Sequence, residues 1–420
     1  MENTPTASRL PWLVLALASL AIAGNYYAYD AIAPVADFLQ TQRGLTQTQI
    51  GLLNAIFSLP NIPLALVGGV LIDRLGPARA AFGAAAFCFV GSVLTAVGEP
   101  FNIMLLGRLL FGVGEETLLI ALLAGLAQWF ARRSAALAVS LFFSLARVGS
   151  YLADISPRWA PDVYAGGWQP PLWLAAGLSG ASLCAAGLYL LLDRRRTAGQ
   201  PVMSERFEWR GLTRFNRSFW YILGLNVLFA SVFFPFRSTF AIAFFQHAKG
   251  LSLADAGLVN SWVFFAAIFA TPVFGLIADR YGRRTLLLTV GAALMPLTFL
   301  ILGATHWSLW ISTVLMGISF SVIPAVIWPA TAMLVEERRL GTAFGMINVL
   351  QNLGLFACNY LAGVLNDASG AGAANPQGYA PMLTLFFGLS LVGLACTVLL
   401  GRSERRDGGH GLDAPAGAKP

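Results

Sequence analysis

Charge is scarce in this chain. Asp, Glu, Lys and Arg make up 11% of its 420 residues, where a soluble domain carries about 25%. That excludes a large soluble protein with an ordinary solvated surface. Histidine is scarcer still, with three scattered residues and no metal-ligand spacing. The four cysteines, Cys88, Cys184, Cys358 and Cys396, all fall in apolar runs and form no C-x-x-C pair, so they read as core filling and say little about redox compartment. No G-x-x-x-x-G-K-[ST] loop is present, nor H-E-x-x-H, nor G-x-S-x-G. ATP-driven transport and the common intramembrane hydrolases therefore have no support, no cofactor is expected, and the chain is not expected to be an enzyme.

What the chain has instead is hydrophobic length. Apolar residues make up 57% of it, in recurring blocks of about 20 residues, each enough to cross a ~30 Å hydrocarbon layer as a helix. Twelve spans are predicted, at 11–36, 46–70, 78–97, 102–130, 134–156, 170–192, 217–245, 252–278, 284–303, 306–335, 340–366 and 378–401. The first is too long for a signal-peptide core and is read as retained. The expected fold is an all-α membrane protein of two six-helix bundles. Its parts are an N-terminal bundle (1–192), a cytoplasmic linker (193–216), a C-terminal bundle (217–401) and a disordered tail (402–420).

The basic excess is a topology signal and implies a lipid bilayer, with no nucleic-acid partner. With the N-terminus inside, 21 of the 27 Lys and Arg fall on inner segments and three (Arg43, Arg158 and Lys249) on outer loops. That asymmetry places both termini on the cytoplasmic side. The remaining three, Arg108, Arg147 and Arg237, lie within predicted helices.

The two halves echo each other. "GGVLIDRLGPAR" (68–79) follows the second helix and "GLIADRYGRR" (275–284) the eighth, at an offset of 206, while "LLFGVG" (109–114) and "LMGISF" (315–320) align at 205. A near-constant offset means internal duplication, and parallel six-helix repeats are a transporter plan. In the D-R-x-G turns, Gly permits the reversal and Arg marks the inner face. Asp73, Arg74, Asp279 and Arg280 are candidate gate residues that pair with neighbouring helix ends when the inner side closes; the competing reading is turn chemistry and a topology anchor.

These motifs resemble the signatures of the major facilitator superfamily. "SLPNIPLALVGGVLIDRLG", "GRLLFGVGEETL", "SLARVGS" and "IWPATAMLVEERRLGTAFGMINVLQNLG" look like the branch that contains lysosomal dipeptide transporters. The resemblance implies uniport of small peptides by alternating access; a proton-coupled carrier of organic anions or drugs on the same fold is the alternative. The E-x-x-E-[RK] signature of proton-coupled peptide carriers is absent from the first helix.

Glu116 and Arg147 lie ~14 and ~13 residues from the inner surface on consecutive helices, and hence at about the same depth near the bilayer centre. A charge there costs at least ~2.5–3.5 kcal/mol, so each should face a partner or a wet cavity. Their duplicates are Ser321 and Asn352, so packing alone does not demand ions at these positions. A dipeptide about 7 Å long would fit between helices about 8–10 Å apart. The resemblance implies that Glu116 takes the peptide amine and Arg147 the carboxylate. The competing reading is a structural ion pair between the two. Glu115, about 100° round the helix, points elsewhere.

Further candidates for the cavity wall are Tyr26 or Tyr29, Trp328 and Asn352, with Asp30 as a gate near the outer mouth. Arg237 departs from the family pattern and reads as a second cavity arginine favouring anionic side chains. Arg outnumbers Lys 25 to 2, which a GC-rich bacterial genome accounts for. A bacterial cytoplasmic membrane is expected, with a lysosomal membrane as the alternative. The sequence is silent on an accessory subunit.

Overall fold

The computed structural model describes residues 10–130, 132–193, 215–304, 308–336, 339–406 and 409–414. Twelve long helices account for most of them. In the first half these are α1 (Leu10–Arg43), α2 (Gln47–Ala55 continuing as Asn61–Leu75), α3 (Pro77–Val97), α4 (Phe101–Trp129), α5 (Arg132–Asp154) and α6 (Gln169–Asp193). In the second half they are α7 (Arg217–Lys249), α8 (Leu253–Tyr281), α9 (Arg284–Ala304), α10 (Leu309–Leu334), α11 (Leu340–Ala368) and α12 (Ala380–Arg406). Eleven are long and apolar enough to cross a membrane. The twelfth, α2, is interrupted by a 3-10 turn at Ile56–Ser58, just before Pro60.

Helix starts follow ordinary capping chemistry. Thr46 and Gln49 form a reciprocal capping box at the start of α2, and Asn216 and Ser252 cap α7 and α8. Two helices break at matching places. α1 breaks at Ala31, and α7 passes Pro235 into a π turn over Phe236–Phe240. Ala31 and Phe236 are 205 residues apart, so the break belongs to the duplicated plan.

The two cores differ in material. The first half is packed with alanine (Ala18, Ala81, Ala84, Ala85, Ala121, Ala185). The second is packed with phenylalanine (Phe229, Phe233, Phe236, Phe264, Phe299, Phe386). Small residues let backbones approach, whereas rings fill wider gaps by edge and stacked contacts.

The halves meet along two seams, α2 with α11 and α5 with α8, and glycine permits both. A Cβ on Gly51 would lie 2.3 Å from the Asn359 carbonyl oxygen, and one on Gly257 would lie 2.1 Å from that of Asp154. These two contacts are copies of each other at offsets of 206 and 205. Both lie toward the end of the bundle opposite the one that carries Arg74, Arg280 and Arg402; these are termed the opposite end and the basic end.

The opposite end is held shut by polar contacts across the halves. Asp367 at the end of α11 accepts from the backbone N–H of Gln47 (2.8 Å) and Thr48 (2.7 Å) at the start of α2. His247 lies between Asp37 and the Tyr379 hydroxyl, 2.8 Å from each.

The tail departs from expectation. α12 runs on to Arg406, and residues 409–414 fold back onto the α8–α9 turn. Asp413 accepts from the Thr285 N–H (2.9 Å) and hydroxyl (2.6 Å), Arg284 donates to the carbonyls of Leu412 and Ala414, and Leu412 is buried. Gly282, at φ +66, makes room for this strap. Asp413 satisfies N–H groups that a helix start leaves open, that of Thr285 through its carboxylate and that of Arg283 through its carbonyl, which is why this segment does not stay loose. Of the expected linker, residues 194–214 lie outside the described residues.

Candidate functional site

Arg147 of α5 projects between the halves into a ring of aromatic faces. Its guanidinium carbon lies 4.7 Å from the centre of the Phe320 ring and 5.4 Å from those of Phe264 and Tyr26. These come from α10, α8 and α1, so both halves contribute. No carboxylate of the described residues lies within 4.0 Å of it. Aromatic faces offer a cation a modest attraction and leave its five N–H donors free to bond a planar anion.

Glu116 of α4 accepts a 3.0 Å hydrogen bond from the Asn348 side chain of α11. Asn352, one turn on, donates to the carbonyl (3.0 Å) and side-chain oxygen (3.1 Å) of Asn348 and accepts from Asn61 of α2 at 3.5 Å. Glu116 thus opens a polar chain that crosses from the first half to the second. Glu116 and Arg147 are not paired with each other, so the helix-locking ion pair of the competing reading is not formed. Glu115 is buried within the first half. Ser321, the duplicate of Glu116, spends its hydroxyl on the Gly317 carbonyl at 2.8 Å.

The other candidates are distributed as follows. Tyr26 joins the Arg147 ring, whereas Tyr29 meets Phe57 in a tilted contact at 4.8 Å, with the Arg108 guanidinium 5.4 Å from its ring. Trp328 is 39% exposed and meets Phe344 edge-on. It lies eight residues beyond Phe320, about 12 Å farther toward the basic end.

Arg237 corrects the sequence reading. It is not open to a cavity; its side chain is 0% exposed and sits between Asp30, 2.5 Å away, and Asp154, with Phe264 at 3.9 Å over its guanidinium. The reason is the π turn after Pro235, which swings Arg237 inward between two carboxylates. Asp30 is likewise sealed in this cluster and not exposed at a mouth.

At the basic end, Asp279 is 72% exposed at its side chain and lies 3.9 Å from Arg284; Arg280 lies over Tyr281, and Arg74 is exposed. The Asp73 side chain lies outside the described residues. The cross-half bonds named above run from the opposite end to Asn348 and stop there.

A family model for the Major Facilitator Superfamily matches residues 18–253 and 227–419, and so almost the entire chain. The chain belongs to the major facilitator superfamily. It is a membrane transporter and not an enzyme. The chain is 30% identical over 416 residues to the Homo sapiens protein named lysosomal dipeptide transporter MFSD1, covering 95% of this chain and 87% of that protein. It is 22% identical over 346 residues to a probable sulfoacetate transporter of Cupriavidus necator, covering 76% of this chain and 78% of that one. Among solved structures, a bacterial homologue of the human lysosomal transporter Spinster, described as inward-facing and occupied, superposes with a TM-score of 0.70 at 16% identity, over 96% of this chain and 99% of that one. A nucleoside transporter gives a TM-score of 0.72 at 13% identity, over 93% and 99%.

Three features of this superfamily member escaped sequence reasoning. Asp154, not singled out from the sequence, is fully buried and bonded to Arg237. The available signal was its duplicate, Asn359, also buried. Arg108, whose duplicate is Thr313, ties α1, α2 and α4 together. It donates to the carbonyls of Ala28, Tyr29 and Leu53 and to the Asn54 side chain at 2.5 Å. The break in α1 frees the first two carbonyls, which no sequence period reveals. Asn348 was passed over for Asn352, its neighbour one turn away.

Proposed function

We propose that this transporter moves dipeptides by alternating access as a uniporter, with Glu116 reading the terminal ammonium and Arg147 the terminal carboxylate. One observation carries the reading: an acid and a base reach the centre of the molecule from neighbouring helices without pairing. Arg147 keeps its donors for a carboxylate, which it would bind through two parallel hydrogen bonds. Glu116 keeps one oxygen beyond its bond from Asn348. Tyr26 is the remaining first-half wall, and Asn352 reaches the substrate side through Asn348. The relatives named as dipeptide transporters support the same substrate class. Asp279, Arg280, Arg74 and Asp73 are proposed to close the basic end in the alternate state, while Asp30 acts at the other end. The two six-helix bundles move as bodies about the linker 193–216. The membrane is proposed to be a bacterial cytoplasmic membrane with both termini cytoplasmic, on the strength of the arginine distribution; a lysosomal membrane is the alternative.

A second reading, an organic-anion carrier, is favoured by the aromatic setting of Arg147, which suits any planar carboxylate or sulfonate. Uptake and counterflow in reconstituted vesicles separate the two. Under the dipeptide reading, a free dipeptide is carried, while its N-acetyl derivative and its methyl ester both fail, each having lost one terminal charge. Under the anion reading, the N-acetyl derivative is carried as well. Accumulation against a gradient only when protons are supplied defeats uniport.

A further inference from the structure

The ion cluster at Arg237 joins the two halves and holds one acid too many. Asp30 (α1) and Asp154 (α5) come from the first half and Arg237 (α7) from the second, with side-chain exposures of 2%, 0% and 0%. Arg237 Nη1 faces Asp30 Oδ1, and Nη2 donates to Asp154 Oδ2. Asp30 Oδ1, Asp154 Oδ1 and Arg237 Nε are buried and have no hydrogen-bond partner, although Asp30 Oδ1 faces the guanidinium as an ion pair.

The surroundings do not balance the extra charge. From α4 come Arg108, already spent on three carbonyls and Asn54, and Glu115. From α1 come Tyr26 and Tyr29, and from α5 comes Arg147 within its aromatic ring. From α8 come only the neutral Asn260, which donates to the Arg237 carbonyl at 3.2 Å, and Phe264. Tyr164, beyond the end of α5, shares a hydrogen bond with Ser156. Within this buried centre Asp30, Glu115, Glu116 and Asp154 stand against Arg108, Arg147 and Arg237: four carboxyl groups against three guanidiniums. A zwitterionic substrate does not change that difference. An uncompensated charge sealed from water costs several kcal/mol. A metal ion does not fit beside a guanidinium, and no metal-holding group of His, Cys, Asp or Glu occurs among the described residues.

We propose that the Asp30–Arg237–Asp154 cluster is a one-proton site that locks the opposite end shut. The proton sits on Asp154 Oδ1, the partnerless oxygen that the guanidinium does not engage. Asp154 is then a neutral acid, Asp30 and Arg237 form a neutral pair, and the cluster has no net charge. Opening the opposite end draws Arg237 away from both acids and admits water, and the proton returns to the side from which it came. No proton is carried across, so the site regulates a uniporter and does not drive it. By linkage, the state that binds the extra proton is favoured as pH falls, so acid on that side keeps the end closed.

The test uses the full chain in lipid nanodiscs without substrate, so its failure is separable from failure of the dipeptide reading. The four native cysteines are replaced and spin labels are placed at Asp162→Cys and Ala374→Cys, both exposed at the opposite end. The expected result is that the open-to-closed ratio rises with pH, by up to about tenfold per unit for one proton, and that Asp154→Asn removes this dependence. A wild-type ratio that ignores pH, or an Asp154→Asn variant that keeps the wild-type slope, overturns the proposal. If that variant does not fold, the infrared spectrum of wild-type protein with isotope-labelled aspartate decides. A protonated aspartate band in the closed form supports the site, and its absence at every pH at which the end is closed overturns it.

Discussion

Replacing Gly257 by Ala puts a methyl group on the seam between α5 and α8. The new Cβ would lie 2.1 Å from the Asp154 carbonyl oxygen. Ordinary contact begins near 3.4 Å, so the helices must part there by about 1 Å or more, and backbone cannot step aside as a side chain does. Overpacking of this kind costs roughly 1–3 kcal/mol. The strain exists only while the opposite end is closed, so it is relieved by opening. The closed-to-open ratio should therefore fall by about 5- to 150-fold. Gly51→Ala, the duplicate contact at 2.3 Å from Asn359, should act in the same direction. Gly83→Ala is the control, because nothing lies within 4 Å of its Cβ and alanine favours a helix. Spin-label distances across the opposite end in lipid nanodiscs report the populations. A seam variant with unchanged distances and unchanged melting would show that the glycines are not the points of closure, and the account of how the halves meet would fail with them.

Arg147→Lys keeps the charge and loses the planar fork; dipeptide affinity should drop at least tenfold, in line with ~1.5–3 kcal/mol for a charged hydrogen bond, while thermal melting holds. Near-normal uptake by this variant would rule out two-point carboxylate recognition. Arg108→Met removes donors from the carbonyls of Ala28, Tyr29 and Leu53 and from Asn54 and should cost about 1–3 kcal/mol for each buried acceptor left unpaired, seen as lost monodisperse protein in detergent. Asp413→Ala uncaps α9 and should lower stability by about 0.5–2 kcal/mol, with a matching fall in melting temperature; deletion of residues 409–420 should do the same. Asn348→Ala strips Glu116 of the donor that orients it, and the preference for free over amine-blocked peptides should fall in competition binding; an unchanged preference would refute that role.

The fold was legible because membrane spans are written in long runs, and α2 is the instructive exception. Its two pieces, Gln47–Ala55 and Asn61–Leu75, form one span in the sequence, and only the 3-10 turn before Pro60 separates them. The duplication was legible for the same reason: turn motifs such as Asp73–Gly76 and Asp279–Gly282 repeat in the chain itself. Arg147 and Glu116 could be singled out because charge inside an apolar run is conspicuous. Their lack of mutual pairing could not, since helical depth says nothing of direction across the bundle. Arg237 was misread because its neighbours in sequence do not reveal Asp154, 83 residues away. The strap at 409–414 was misread because Gly and Asp near a terminus carry the composition of a loose tail, while the partner of Asp413 is the start of α9.

The two seams share a backbone contact and differ in chemistry, and this difference bears on how a duplicated transporter becomes responsive. On the α2–α11 seam, Gly51 meets Asn359, whose side chain accepts from Thr239 at 2.8 Å and donates to the Leu355 carbonyl. That seam is neutral at this level. On the α5–α8 seam, Gly257 meets Asp154, and the carboxylate takes an arginine. The same duplication leaves Asn54 and Asn260 as a matched pair, each donating to a carbonyl in the π turn of α7, Asn54 from across the halves and Asn260 from within its own half. The symmetric part of the interface is thus built from glycine and asparagine, which close the halves without a net charge. The ionic part has been added on one seam alone, where Asn359 has Asp154 as its counterpart. A neutral seam closes with an energy that pH does not alter, whereas an ionic seam closes with an energy that depends on how many protons it holds. Exchanging the two, with Asp154→Asn and Asn359→Asp together, should leave glycine packing intact and strand Arg237 with Asp30 alone. If closure of the opposite end then kept its wild-type dependence on pH, the ionic seam would not be its source.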